Sequence, residues 1–346
     1  MIAAGEPANA EPAASGPPPG VAVLQMLTGR WVTGAVTTAA RFRLADHLAA
    51  QPRTAAQLAP EIGAHAPSLD RLLRALASLG LFAEDDAGRF AVTPLGAQLR
   101  SDVPGSMYGM ARFFGTEEHG AAWNAMAYAV ASGEPAFDHV HGRSVWAYLD
   151  ENGDVNAIFN DAMTSLTSAF SGEIVEHLAL EGAQTVADIG GSAGTLVAAL
   201  LERYPQLRAI VFDRPAAIEH VQGGAAGVLR ERCDFVAGDF FESVPRADVL
   251  ILSRVLHDWC DADAVRILKS CRAALPPHGR IAVVDTVIEP GDDPGFGKLL
   301  DLEMLVMTTG RERTREDFAR LFALADLRLA RVVPMNGGAI VEAVPA

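Results

Sequence analysis

The spacing of apolar residues changes along the chain, and the changes divide it. Over residues 21–50, Leu24, Leu27, Trp31, Val32, Ala35, Val36, Ala39, Phe42, Leu44 and Leu48 recur near helical spacing, which predicts helices. A short helix is expected from Thr54. Another follows Pro67, with Leu69, Leu72, Leu73, Leu76 and Leu79 on one face and Gly80 at its end. Residues 81–93 read as two short strands about the turn Asp86-Ala87-Gly88. Helix, helix and hairpin in that order predict a winged helix-turn-helix. Residues 106–180 are again helical in pattern and rich in large side chains, among them Met110, Phe113, Phe114, Trp123, Trp146, Phe159, Met163 and Phe170. From about Thr185 short apolar runs alternate with helical ones. Strands are predicted at 185–189, 209–212, 233–237, 249–252 and 281–286, and helices at 194–203, 215–222, 261–275 and 315–325. That alternation calls for a mostly parallel sheet covered on both faces.

These boundaries predict four regions. Residues 1–20, mostly Ala, Pro, Gly and Glu, form a flexible tail. Residues 21–105 form the winged-helix module, 106–180 a set of linking helices, and 181–346 an α/β domain. The 346 residues suffice for about two domains. With 50% hydrophobic and 21% charged residues the chain is that of a folded protein. The net charge of −15 disfavours nucleic acid and anionic membranes as partners. A winged helix can nevertheless read DNA through its second helix, where Arg71 and Arg74 lie, so a regulator remains an alternative. Cys233, Cys260 and Cys271 lack the paired spacing of a zinc or redox motif and are expected to be reduced packing residues. The prolines near the start break any signal-like run, and no stretch is apolar enough to span a bilayer. A cytoplasmic protein is expected.

In a sheet of this kind, ligands lie outside the carboxyl ends of the strands. The first strand ends in Asp188-Ile189-Gly190-Gly191-Ser192-Ala193-Gly194, where glycines let the backbone turn tightly against a ligand. Ser192 interrupts the G-x-G-x-x-G register of a dinucleotide site, which leaves a nicotinamide dehydrogenase the weakest alternative. The second strand ends at Asp213, a carboxylate suited to both hydroxyls of a ribose. The third ends at Gly238-Asp239-Phe240-Phe241, an acceptor for an exocyclic amine beside an aromatic face. Together these ends point to adenosine. Each residue also fits a plainer role: Gly194 a helix start, Asp213 a helix cap, Asp239 a surface turn. The next strand runs into Leu252-Ser253-Arg254-Val255-Leu256-His257-Asp258-Trp259, where His257 is either a general base or a cap for the helix near Asp261. Asp138-His139-Val140-His141 has the look of a metal site, but on an expected loop without further ligands a non-metal reading is preferred.

Asp188 to Gly194, Asp213, Gly238-Asp239-Phe240, Leu256-His257-Asp258-Trp259 and Arg311-Glu312-Arg313-Thr314 resemble the S-adenosylmethionine-dependent O-methyltransferases of the plant phenolic and bacterial antibiotic-tailoring type. The resemblance runs from Val21 onward. It implies an α/β fold with a Rossmann-like doubly wound sheet and an N-terminal, all-helical winged-helix dimerisation domain, hence a homodimer. It implies that Gly190 lies against the methionine part of the cofactor, that Asp213 holds the ribose, and that Asp239 and Phe240 hold the adenine. Ser253 stands where plant members often carry a cofactor-touching lysine. His257 matches the general base, and Asp285 and Glu312 match its flanking acids. Plant relatives usually have a glutamate at the position of Asp285, whose reach is shorter.

The chemistry needs such residues. A sulfonium methyl is already activated, so the protein must supply an in-line oxygen nucleophile. A phenol with a pKa near 10 is ionised only about one part in a thousand at pH 7, and a histidine base is worth roughly 10² to 10⁴ in rate. Glu312 is the preferred partner to fix its tautomer. No metal is needed. An apolar acceptor pocket is expected from Met304 and Met307 on a helix over 301–307, with Asn160 and Met163 facing it, although methionines at helical spacing are as often ordinary core. The expectation is therefore methyl transfer to a hydroxyl of an aromatic secondary metabolite. Carbon or nitrogen methylation, or non-methylating chemistry on the same cofactor, is the alternative on this fold.

Overall fold

The structure is a computed structural model that describes residues 16–222, 228–292 and 294–346. Most of the expected tail, residues 1–15, lies outside them. The first helix, Pro19–Leu27, begins within the remainder, with Pro19 at a position where its missing N–H costs nothing. The helices Gly29–Arg41, Leu44–Leu48, Ala55–Ile62 and Ala66–Ser78 follow, then the antiparallel hairpin β1 (Phe82–Glu84) and β2 (Phe90–Val92). This is the expected winged helix-turn-helix. Thr54 starts the helix Ala55–Ile62 with a capping box, its hydroxyl accepting from the Gln57 N–H while Gln57 reaches back to the Thr54 N–H. Leu44, Leu58, Leu73, Leu76, Phe82 and Phe90 form the module's core. Arg74 is paired with Asp70. The helix Pro19–Leu27 buries none of its residues, and Leu24, Met26, Leu27 and Trp31 stand exposed.

Residues 108–177 are helical throughout, ending in the long helix Gly153–His177. The His pair does not sit on a loop: Ala136–His141 is a helix capped by Gly142 in the left-handed region. His139 stacks on Tyr128, and His141 bonds the Glu118 carbonyl. Among the described residues, no group of His, Cys, Asp or Glu could hold a metal ion.

The α/β region holds β3 (Thr185–Ile189), β4 (Arg208–Asp213), β5 (Cys233–Ala237), β6 (Val249–Ser253), β7 (Arg280–Asp285), β8 (Leu327–Met335) and β9 (Gly338–Pro345). Their order is β5-β4-β3-β6-β7-β9-β8, with β3 to β7 parallel and the last two antiparallel. The strand order reverses between β3 and β6, so the crevice opens above those two ends. Apolar clusters cover both faces, one built around Leu250, Leu268, Phe318 and Phe322, the other around Val186, Leu200, Val249 and Ile340. The β8–β9 hairpin was not anticipated. Its turn, Asn336-Gly337, is a hairpin signal, but β9 is inserted between β7 and β8 and buried along most of its length, so it reads as continuous apolar sequence rather than as an alternating strand. No described helix is long and apolar enough to cross a membrane.

Candidate active site

The carboxyl ends of β3, β4, β5, β6 and β7 border one cavity of about 1650 Å³. Gly190, Asp213, Asp239, Phe240, Ser253, His257, Asp285, Asn160, Met163, Met304 and Met307 all line it. Glu312 alone among the expected site residues lies behind the wall. The volume exceeds the roughly 300–1,000 Å³ of a single small-molecule site, so it accommodates two ligands side by side.

The cofactor side of the rim is shaped by the turn after β3. Gly190 has φ +81°, and a Cβ there would meet the Val255 side chain at 2.8 Å, so this is a turn that demands glycine. Ser192 also takes a positive φ of 46°, and its N–H donates to Asp213 Oδ2 at 2.8 Å, while the Arg214 N–H donates to Asp213 Oδ1. Asp213 thus ties the turn to β4 and retains lone pairs toward the cavity. Burial pushes its carboxyl above the usual range despite those two bonds. Asp239 accepts from the Phe241 N–H, fulfilling the turn role as well as facing the cavity. Gly194 is the N-cap of the helix Thr195–Arg203, as its plainer reading had it.

Three buried polar atoms at this rim have no hydrogen-bond partner among the described residues: Asp188 Oδ1, Ser253 Oγ and Arg254 Nη1. Burial, with the neighbouring Asp213 charge adding to it, pushes the Asp188 carboxyl up to about 7. Orphaned buried groups are costly unless a ligand completes them. An acid and a guanidinium suit an amino acid's ammonium and carboxylate, and Asp213, Asp239 and Phe240 suit an adenosine. The chain's own residues therefore fit S-adenosylmethionine. Sequence reasoning did not select Asp188 or Arg254. Their signal was position alone, one acid before the glycine run and one cation after Ser253.

At the other side, His257 sits in a one-turn helix, Leu256–Asp258, and is 7% exposed. It does not cap the following helix, Asp261–Ala274, whose N-cap residue is Cys260. Its Nδ1 is 2.7 Å from Glu312 Oε1, and its Nε2 is 3.7 Å from Asp258 Oδ1. The Arg311-Glu312-Arg313-Thr314 segment works as a clamp. Arg313, 1% exposed, donates to the carbonyls of Leu256 and Trp259 and to Asp261, and Thr314 caps the helix Arg315–Leu324. Gly310 lets the two loops touch, because a Cβ there would lie 1.8 Å from the His257 carbonyl oxygen. Neither Arg313 nor Gly310 was marked as a positioning residue from sequence.

Asp285 stands where the resemblance puts a flanking acid, with a reach shorter than a glutamate's, and it makes no hydrogen bond to His257. Both of its oxygens are buried without a hydrogen-bond partner among the described residues. Burial pushes its carboxyl up to about 7. Burial opposes charging of His257, but the charges of Asp258 and Asp285 and the bond to Glu312 outweigh it and raise the imidazole to about 10. Asp258 is raised to about 6, chiefly by burial.

The acceptor side is apolar. Met304 and Met307 project from the helix Phe296–Met307, and Asn160 and Met163 from the helix Gly153–His177. Trp146 and Trp259 stack nearby at 6.0 Å.

Comparison with known proteins agrees with this geometry. Residues 123–328 match the O-methyltransferase domain family, and residues 24–102 match the O-methyltransferase dimerisation domain family. The chain is 42% identical to a phenazine O-methyltransferase of Lysobacter antibioticus over 330 residues, covering 93% of this chain and 95% of the relative. It is 37% identical to a mitomycin biosynthesis 6-O-methyltransferase of Streptomyces lavendulae, covering 92% of each. Among solved structures it is similar to an O-methyltransferase of neocarzinostatin biosynthesis in complex with S-adenosylmethionine and 2-hydroxy-5-methyl naphthoic acid. That likeness has a TM-score of 0.74 and 33% identity, and covers 91% of this chain and 96% of the other.

Proposed function

The chain belongs to the S-adenosylmethionine-dependent O-methyltransferase family, and from that premise we propose that it methylates a phenolic hydroxyl of an aromatic secondary metabolite with His257 as general base. The observation that carries this reading is the 2.7 Å contact between His257 Nδ1 and Glu312 Oε1 at the wall of a cavity shared with the cofactor rim.

S-adenosylmethionine, when bound, supplies a methyl group already activated by its sulfonium sulfur. Gly190 and Asp188 would border its amino-acid part, Asp213 its ribose, and Asp239 and Phe240 its adenine, with Ser253 beside them. Met163, Met304, Met307 and Asn160 hold the acceptor ring flat against the reacting centre. Glu312 accepts the Nδ1 proton of His257, so Nε2 is the nitrogen left to take the acceptor's proton. In the free site the imidazole is held protonated by three neighbouring carboxyl groups. A cation held beside it would lower its affinity for the proton, because like charges repel, and so would free it to act as a base.

The match of residues 24–102 to a dimerisation domain, together with the uncovered apolar helix Pro19–Leu27, supports a homodimer joined through the N-terminal module. The three free cysteines support a cytoplasmic enzyme. Replacing His257 by alanine tests the reading. With labelled S-adenosylmethionine and a panel of phenols, turnover is expected to fall about 10² to 10⁴-fold while calorimetric cofactor affinity persists. Unchanged turnover removes His257 from the chemistry.

A further inference from the structure

The acceptor end of the cavity contains a carboxylate that deprotonating and methylating a simple phenol does not require. Glu303, on the helix Phe296–Met307, lines the cavity with its side chain 15% exposed. Its Oε1 is 3.1 Å from His119 Nε2, and its Oε2 takes the indole N–H of Trp123 at 2.5 Å. Both donors come from the helix Glu117–Asn124, on one side of the carboxylate. His119 is itself fixed by ring contacts with Phe113 and Phe114, at 5.2 and 4.9 Å. His119 is its ion-pair partner on that side.

A carboxylate has about four lone-pair sites. Two donors on one side leave the cavity-facing sites open, among methionines and aromatic rings where an uncompleted charge is expensive. Glu303 is also close enough to Asp258 for its charge to help raise that group, and Asp258 in turn lies 3.7 Å from His257 Nε2. Glu303, Asp258 and His257 all line the one cavity, so a single acceptor there has both the carboxylate and the base on its walls.

We propose that Glu303 is a specificity-determining residue, and that the acceptor presents to it a second hydrogen-bond donor, a hydroxyl or amino group, next to the hydroxyl that His257 deprotonates. The acceptor class is a fused-ring ortho-diol or ortho-aminophenol held at two points. This rests on the reading of His257 as base and narrows its substrate.

The test compares 2,3-dihydroxynaphthalene with 2-naphthol, which lacks the second donor and adds no bulk, by calorimetry on the enzyme saturated with S-adenosylhomocysteine. A hydrogen bond to a charged group predicts about 10- to 100-fold tighter binding of the diol. E303Q is expected to erase most of that preference, with the loss in turnover falling on KM rather than kcat. Equal binding of the two ligands by the native enzyme, or binding of neither, overturns the proposal. So does an equal loss for both ligands in E303Q, which would mark Glu303 as a brace between two helices. Should E303Q not fold, the native comparison decides alone. A retained diol preference without methyl transfer to any phenol would instead sink the base reading and leave Glu303 standing.

Discussion

His257 and Glu312 are 55 residues apart in sequence, yet Nδ1 of the imidazole and Oε1 of the carboxylate meet at 2.7 Å with no exposed surface on the Glu312 side chain. A charge-assisted bond of that length fixes the ring and its tautomer together. Glu312→Gln keeps an acceptor oxygen but removes the charge. We expect kcat to fall about 10- to 100-fold, with cofactor affinity little changed, since Glu312 does not line the cavity. A kcat within twofold of the native value, measured across pH 6 to 9, would show that orientation alone suffices.

Cofactor binding should move protons. His257 holds its proton up to about pH 10 in the free site, and a sulfonium beside it favours release. Calorimetry at pH 8 in buffers of different ionisation heat is expected to find more proton release with S-adenosylmethionine than with S-adenosylhomocysteine, which lacks the positive sulfur. Identical proton counts would mean that the imidazole does not sense the sulfur.

Asp188 should make the free protein less stable as pH rises. Its carboxyl titrates at about 7 when folded, against an ordinary value of 3.8, so the native state holds a proton that the unfolded chain has released. Stability falls with pH wherever the native state binds more protons. The cost accumulates from about pH 4 to 7 and is constant above, amounting to a few kcal/mol at most. Asp188→Asn is expected to gain in Tm relative to the native protein over that window, by thermal denaturation without ligand. A difference in Tm that does not vary with pH would contradict the buried ionisation.

The helix Pro19–Leu27 should depend on a partner. Trp31 is 75% exposed and Leu24 56%, and an apolar surface of this kind marks an interface. Leu24→Asp combined with Trp31→Asp should shift sedimentation from dimer toward monomer while leaving the core of the winged helix, Leu58 and Leu73 among it, folded. A dimer of native affinity in the double variant would move the interface elsewhere.

Much of the architecture was determined locally, and sequence alone carried it. The helices over 55–62 and 66–78 follow from a capping box and a leucine stripe, and β3, β4, β5 and β7 from short apolar runs that end at or just before Gly or Asp. Strand ends in a parallel sheet must converge on one crevice, so Gly190, Asp213, Asp239, Ser253 and His257 were legible as neighbours before any coordinates. Sequence reasoning preferred Glu312 over the shorter Asp285, but only tertiary structure supplies the loop approach that brings Glu312 to the histidine. Asp285 and Glu312 are equivalent as charges, but Glu312 reaches Nδ1 because Gly310 lets its loop press against residues 257–259 and Arg313 pins it there. Glu303 likewise acquires its donors from residues 180 and 184 positions away. Periodicity and capping depend on neighbours along the chain. The partner of a buried charge depends on side-chain length and loop approach at the ångström scale, which only the packed molecule sets.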